Sequence, residues 1–328
     1  MITASICVGF VSPAEASGVY RLTTGTATGN FYPVGVALNT LLQLKHTEAI
    51  DVLLKLHQSQ GARDNIDALL KREADIAFVD AATLLAVTKK SPPFDKYQNT
   101  GEIQILAALW PDVAHLIIQR EQARTGEIDD FRNLIGESIS FGTSQSASAF
   151  ASRALFSTTA INFEQLFRIP DFDIYRSVDD FLEQRIAGIS FFTHEHSLAV
   201  QQIMADTRSN ATMLNISDSL LNQMNASDWP VWQRAIIPAG TYANQIKSVA
   251  SISQMNYLVV LSDFDEADAY HITKTMFENI AFVNTLHGAA SRIERAASEK
   301  KTFLPYHAGS QRYFEESRPC TGIFCLFN

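Results

Sequence analysis

Cysteine is almost missing from this sequence: Cys7, Cys320 and Cys325 are the only three in 328 residues. They form neither a Cys-x-x-Cys pair nor a Cys/His framework, so no thiol-based metal site is available. Positive charge is also short. Lys and Arg number 26 against 35 Asp and Glu, a formal charge of -9, which removes any general attraction to phosphate backbones or anionic lipid and excludes nucleic acid as a partner. Low-complexity linkers and repeats of solenoid period are absent too. What remains, 46% hydrophobic and 19% charged residues, is the composition of a globular protein and excludes disorder, collagen and coiled coil. At this length about two domains are expected, because single cores stop growing near this size.

The N-terminal apolar run, residues 2–11, is only about ten residues and too short to span about 30 Å of hydrocarbon. It leads into Ala14-Glu15-Ala16 ahead of Ser17, an A-x-A cleavage pattern, so residues 1–16 are read as a secretory signal. No Lys or Arg precedes the run, which makes this signal an incomplete or weak one. Cys7 follows no small residue and argues against a lipid anchor. Export permits a disulfide between Cys320 and Cys325, although two free thiols on a frayed end fit equally well.

From Ser17 onward, short apolar runs alternate with helical periods, the pattern of an α/β protein. Strands are expected at 19–23, 52–56 and 76–79, with helices between them. The first helix carries Val34, Ala37, Leu38, Leu41 and Leu42 on one face. Residues 104–109 and 115–119 read as two strands separated by Trp110-Pro111-Asp112. A second set follows: strand 138–141, helix 149–158, helix 178–184, strand 188–192 and helix 198–206. Strand 256–261 and one long helix, 266–286, close the chain.

Ligands of open α/β sheets sit beyond the carboxyl ends of strands, which directs attention to two loops. Residues 23–32 (TTGTATGNFY) are rich in hydroxyls and glycine and feed a helix start, where free N–H groups and the helix dipole favour an anion. Thr28 is the expected N-cap. Gly142-Thr143-Ser144-Gln145-Ser146-Ala147-Ser148 repeats the pattern in the second set, so the two loops together would clamp a small carboxylate. Neither Gly-x-Gly-x-x-Gly nor a P-loop occurs, and the serines lack a Gly-x-Ser-x-Gly elbow, so no cofactor and no catalysis is expected. His194-Glu195-His196 would place two imidazoles on one strand face, a weak zinc or nickel signal.

Several segments in order carry a resemblance. Thr26-Ala27-Thr28-Gly29-Asn30-Phe31-Tyr32-Pro33-Val34-Gly35 comes first, then Gly61 with Asn65-Ile66 and Glu73-Ala74-Asp75-Ile76-Ala77-Phe78. Ala108-Leu109-Trp110-Pro111-Asp112-Val113-Ala114-His115, Ile237-Pro238-Ala239-Gly240-Thr241-Tyr242, and Leu304-Pro305-Tyr306-His307-Ala308-Gly309 follow. Together they resemble the solute-binding subunits of the TAXI class of TRAP transporters. The resemblance implies a type II-like periplasmic binding protein, with two α/β lobes around a ligand cleft and a hinge of two crossovers. Lobe I would comprise 17–110 and 241–328, and lobe II 111–240. It further implies a periplasmic location, a glutamate-like ligand and a sodium-coupled TRAP permease as partner. Carried over residue by residue, the ligand site would use Thr28, Gly29, Phe31, Tyr32, Gln60 and Asp80, with Ser144, Ser146, Ser148, Phe192, Thr193 and His194 from the second lobe. Asp80 and Glu195, if both face the cleft, would favour an amino acid over a dicarboxylate. Two other readings stay open: a binding protein that reports to a membrane sensor, and a metal-binding protein or enzyme using His194 and His196.

Overall fold

The computed structural model describes residues 16–317 except 48–49, 160 and 227–228. Residues 1–15 of the expected signal segment and all three cysteines lie outside the described residues, and Ala16 opens β1. The chain opens with β1 (Ala16–Thr23), α1 (Phe31–Leu44), β2 (Ile50–His57), α2 (Ala62–Leu70), β3 (Ile76–Asp80) and α3 (Ala81–Thr88). β4 (Ile103–Gln119) leads into β5 (Ile139–Ser140), α4 (Ala147–Thr158), α5 (Phe163–Leu166), α6 (Ile174–Leu182), β6 (Gly188–Thr193) and α7 (Leu198–Ala205). β7 (Ala211–Met213), α8 (Asp218–Met224), β8 (Trp232–Ile237) and β9 (Val249–Leu261) precede the closing helices α9 (Glu266–Glu278), α10 (Ile280–Leu286), α11 (Arg295–Ser298) and α12 (Ala308–Glu316).

One sheet runs through the molecule in the order β2-β1-β3-β9-β4-β6-β5, with β7 on β4 and β8 on β9. β1, β2 and β3 are mutually parallel at one end, and β5 and β6 are parallel at the other. Between them β4 and β9 pair antiparallel; β9 also pairs β3 through 256–259 and β8 through 249–254, and β4 also pairs β6 and β7. The fold is the expected α/β, type II-like layout, and β4 and β9 run through its centre.

The two strands expected at 104–109 and 115–119 are one strand of 17 residues. Pro111 does not end it, because the β4/β9 register shifts between Ala108 and Pro111, where a residue without an N–H costs the ladder little. β9 starts seven residues earlier than expected. Its polar front half hides the strand in the sequence, yet Ser251, Ser253 and Gln254 are buried, and Ser251 Oγ donates to the Ala114 carbonyl at 2.6 Å. The long helix expected over 266–286 breaks at Asn279, whose backbone leaves the helical region at φ -119° and ψ 25°. α6 begins at Ile174, four residues before the expected start, because Asp173 accepts from the N–H groups of Tyr175 and Arg176 and caps it there.

α1 buries Phe31, Val34, Ala37, Leu38, Leu41 and Leu42, the stripe read from the sequence. Phe31 stacks on Phe78 at 5.5 Å, and Trp110 packs within 6.2 Å of both rings. Trp110 is fully buried and its Nε1 donates to Asp112 Oδ1 at 3.0 Å. Trp110→Ala is expected to destabilise the fold by about 3–5 kcal/mol, read by chemical denaturation. Trp110→Phe keeps most of the packing and should lose roughly 1–2 kcal/mol through the missing hydrogen bond; equal losses in the two variants would refute this division.

Candidate functional site

The first wall of the site is assembled at the carboxyl ends of β1, β2 and β3 by Asn65, a fully buried amide. Its Nδ2 donates to the carbonyls of Phe78, at 2.8 Å, and Thr24, while its Oδ1 accepts from Thr23 Oγ1 and Ser59 Oγ, both at 2.7 Å. Three strand ends are thereby held in register, and the loops that leave them converge. Asn30, not Thr28, occupies the N-cap of α1, and its side chain makes no capping bond. Instead Nδ2 lies 3.3 Å from Asp112 Oδ1 and 3.4 Å from Thr193 Oγ1, and Oδ1 lies 3.2 Å from His194 Nδ1. The N–H groups of Phe31 and Tyr32 consequently have no acceptor among the described residues.

The second wall is organised by two serines. Ser146 caps α4, accepting from Ala149 N at 3.1 Å. Ser148 Oγ donates to Phe141 O at 3.1 Å and accepts from Phe192 N at 3.0 Å, which ties β5, α4 and β6 together. Asp173 faces these serines at the start of α6.

Between the walls lies a cleft of about 690 Å³, open solvent at its mouth included. Of the residues singled out in the sequence, Thr28, Gly29, Phe31, Gln60, Ser146, Ser148, Phe192 and Thr193 line it. Tyr32, Asp80, Ser144 and His194 do not. Asp80 is wholly buried at the N-cap of α3, where Thr83 N and Oγ1 occupy its oxygens at 3.0 and 2.6 Å. Ser144 is turned outward onto Asp171. His194 lies behind Thr193, against Asn30 and edge-on to His287. Glu195 pairs with Arg292 at 3.2 Å and is likewise not in the lining. Lining residues that the sequence reading missed include Asn30, Gly61, Asp112, Thr143, Asp173, Ile174 and Phe191. An Asp immediately before a helical stripe, as at Asp173, is a readable cap signal; nothing local marks Asp112.

His194 and His196 do not share a strand face. β6 ends at Thr193, and His196 has φ +64°, so the chain turns between the imidazoles. Among the described residues no group of three His, Cys, Asp or Glu side chains is placed to hold a metal ion. Burial, with the neighbouring His287 and His196, lowers the His194 pKa to about 4.

The cleft lining contains no Lys, Arg or His. Positive potential comes instead from helix starts: α1, α4 and α6 begin at lining residues, and α2 begins directly after the lining Gly61. The first-turn N–H groups of Ala62, Ala147 and Ile174, like those of Phe31 and Tyr32, take no acceptor among the described residues. Unsatisfied N–H groups at the positive end of a helix dipole bind anions without a cationic side chain. The acidic members are Asp173 and Asp112. Burial raises the Asp112 pKa to about 7, assisted by the nearby Asp80 charge and opposed by hydrogen bonds from Asn256, Trp110 and Asn30.

The walls touch at Gly61. A Cβ there would lie 2.7 Å from both Gln145 O and Ser146 Cα, and its φ of +138° is a conformation that L side chains rarely adopt. Gly61→Ala is expected to lower stability by about 1–3 kcal/mol through backbone strain and to hold the walls apart. Its readouts are thermal denaturation and small-angle scattering, and a variant with the parent's melting temperature and radius of gyration would contradict this contact.

Among solved structures, a protein from Bordetella bronchiseptica RB50 is similar over 92% of this chain and 90% of its own, with 12% identity and a TM-score of 0.50. A Xanthomonas citri protein bound to ATP is similar over 92% of this chain and 95% of its own, at 9% identity and a TM-score of 0.49. The periplasmic aliphatic sulphonate binding protein SsuA from Escherichia coli is similar over 93% of this chain and 84% of its own, at 10% identity and a TM-score of 0.45. At such identities the Bordetella likeness is one of fold. The family assignment rests on a different comparison, a family model that matches residues 22–317, and by it the chain belongs to the NMT1-like family.

Proposed function

We propose that this chain is an exported solute-binding protein that captures a small organic acid between two lobes and presents it to a membrane permease. One observation carries the reading: four helix starts converge on a single cleft of about 690 Å³ whose lining holds no cationic side chain. Such a site supplies oriented N–H donors for a carboxylate. Hydroxyls of Thr26, Thr28 and Thr143 add polar groups, and Phe31, Phe191, Phe192 and Ile174 give an apolar wall. The mix of a few placed polar groups with apolar surface is that of a small-molecule pocket.

In this reading the lobes are 17–110 with 241–328, and 111–240; β4 runs across the first boundary, and the second falls between β8 and β9. Closure brings Gly61 onto the Gln145-Ser146 turn and forms the Glu195–Arg292 ion pair. Closed and open states then differ in what they offer a permease, which is how a binding protein signals that it is loaded. A TRAP-type permease and a glutamate-like solute are the specific partner and cargo that the TAXI resemblance implies.

The test is native mass spectrometry of the protein as purified, followed by a thermal-shift screen over carboxylates, amino acids, sulfonates, phosphates and divalent metals. A solute at 100 times its Kd adds about 2.7 kcal/mol to the folded state, which appears as several degrees. A shift with an organic acid is the expected result. Stabilisation by a divalent metal alone, or by no small anion of any class, would overturn the reading.

A further inference from the structure

Beside the cleft, the end of β6 is gripped from across the lobe boundary. Thr193, His194 and Glu195 belong to the second lobe, and Asn30 and residues 287–292 of the first lobe hold them. Asn30 Nδ2 is directed at Asp112 Oδ1 and, at 3.4 Å, at Thr193 Oγ1. Asn30 Oδ1 can only accept, so His194 Nδ1 donates to it across 3.2 Å and carries the proton of the neutral imidazole. His194 Nε2 has no hydrogen-bond partner among the described residues and lies against Gly288, where a Cβ would come within 2.8 Å of it. His287 stands edge-on to the same ring, 5.4 Å between centroids, and its Nδ1 accepts from Ala289 N at 3.2 Å. Glu195 and Arg292 close the contact with an ion pair at 3.2 Å. A second proton on His194 would go to Nε2, where the protein offers no acceptor and a second imidazole stands close by.

We propose that this contact is an interlobe latch that holds only while His194 is neutral, so that acidification opens the lobes and weakens solute capture. The proposal rests on the two-lobe, solute-binding reading and adds its regulation. Because the latch joins protein to protein, it acts on the empty cleft as well as on the filled one. Opening returns His194 to water and takes it away from His287 and Gly288. The titratable groups that act on His194 are His287 from the first lobe, His196 on its own segment and His115 of β4, all imidazoles that disfavour its charge. Of the nearby charged groups, Glu195 is paired with Arg292, and Asp112 is reached only through Asn30. Burial first, and then His287 and His196, hold the latched imidazole at a pKa of about 4, against about 6.5 in water. A pKa depressed in the closed state favours closing above pH 6.5 and withdraws that support as the pH falls toward 4. Between pH 7 and pH 5 the closing constant falls about 20-fold. Asp112, with its pKa raised to about 7, also takes up a proton in this range, and a variant that keeps Asp112 separates the two.

The experiment is small-angle scattering on the whole solute-free chain, from neutral pH down to about pH 5, for the parent, His194→Gln and Arg292→Gln. Glutamine stays neutral throughout and can still donate to Asn30 Oδ1. The parent is expected to keep the radius of gyration of the latched structure at neutral pH and to expand on acidification, with far-UV circular dichroism unchanged. His194→Gln should keep one radius over the whole range. Arg292→Gln retains the imidazole but loses the ion pair, so its expansion should begin at a higher pH than the parent's. A parent radius that does not change, an expansion that persists in His194→Gln, or an expansion that coincides with loss of secondary structure would overturn the proposal. Should His194→Gln not fold, Arg292→Gln decides: expansion at the parent's pH or below it overturns the latch. An organic acid from the thermal-shift screen that binds the parent equally well at both ends of the pH range sinks the latch and leaves the proposed function standing. The absence of any small-anion ligand sinks the proposed function, and the scattering series is read independently of it.

Discussion

The antiparallel pairing of β4 with β9 carries both walls of the cleft. β9 joins the pair to β3 on one side and β4 joins it to β6 on the other, so the two sets of strands that bear the site loops are linked through this one ladder. The ladder is not uniform. Its register shifts twice, between Ile105 and Ala107 and between Ala108 and Pro111, and the second shift lies next to Asp112, which lines the cleft. Bulges of this kind bend a strand locally while keeping pairing on either side. The same device therefore aims Asp112 at the cleft and marks the place where one end of the sheet meets the other.

Helix starts do the rest. In a lining without Lys, Arg or His, the favourable sites for negative charge are backbone groups held by folded geometry, so the preference cannot be lost by a single side-chain change. Asn30 shows how closely this is tied to the sheet. As N-cap of α1 it would ordinarily satisfy its own helix, yet its amide reaches Asp112, Thr193 and His194 and leaves the first N–H groups of α1 exposed to whatever enters.

Much of this was legible beforehand, and for definable reasons. The α1 stripe, the hydroxyl-rich loops and the alternation of strand and helix are local patterns, and local patterns survive in sequence. Thr28, Gly29, Ser146 and Ser148 lie in hydroxyl-rich loops that the sequence marks at helix starts, and Gln60 came from the family resemblance; all five line the cleft. Asp80 came from the same resemblance, and its oxygens cap α3 through Thr83, away from the lining. β9 was half hidden because Ser251, Ser253 and Gln254 read as loop residues, although neighbouring strands bury them. Asp112 was passed over because its significance depends on Asn256, 144 positions away, and on a fold that brings no cation near either.

Gly61 sets a dimension. Because backbone meets backbone there, with no side chain to bend aside, the gap between the walls has a hard minimum that chemistry elsewhere in the cleft cannot alter. Any narrowing of the cleft therefore ends where these two backbones meet, a limit set by main chain and not by side-chain packing.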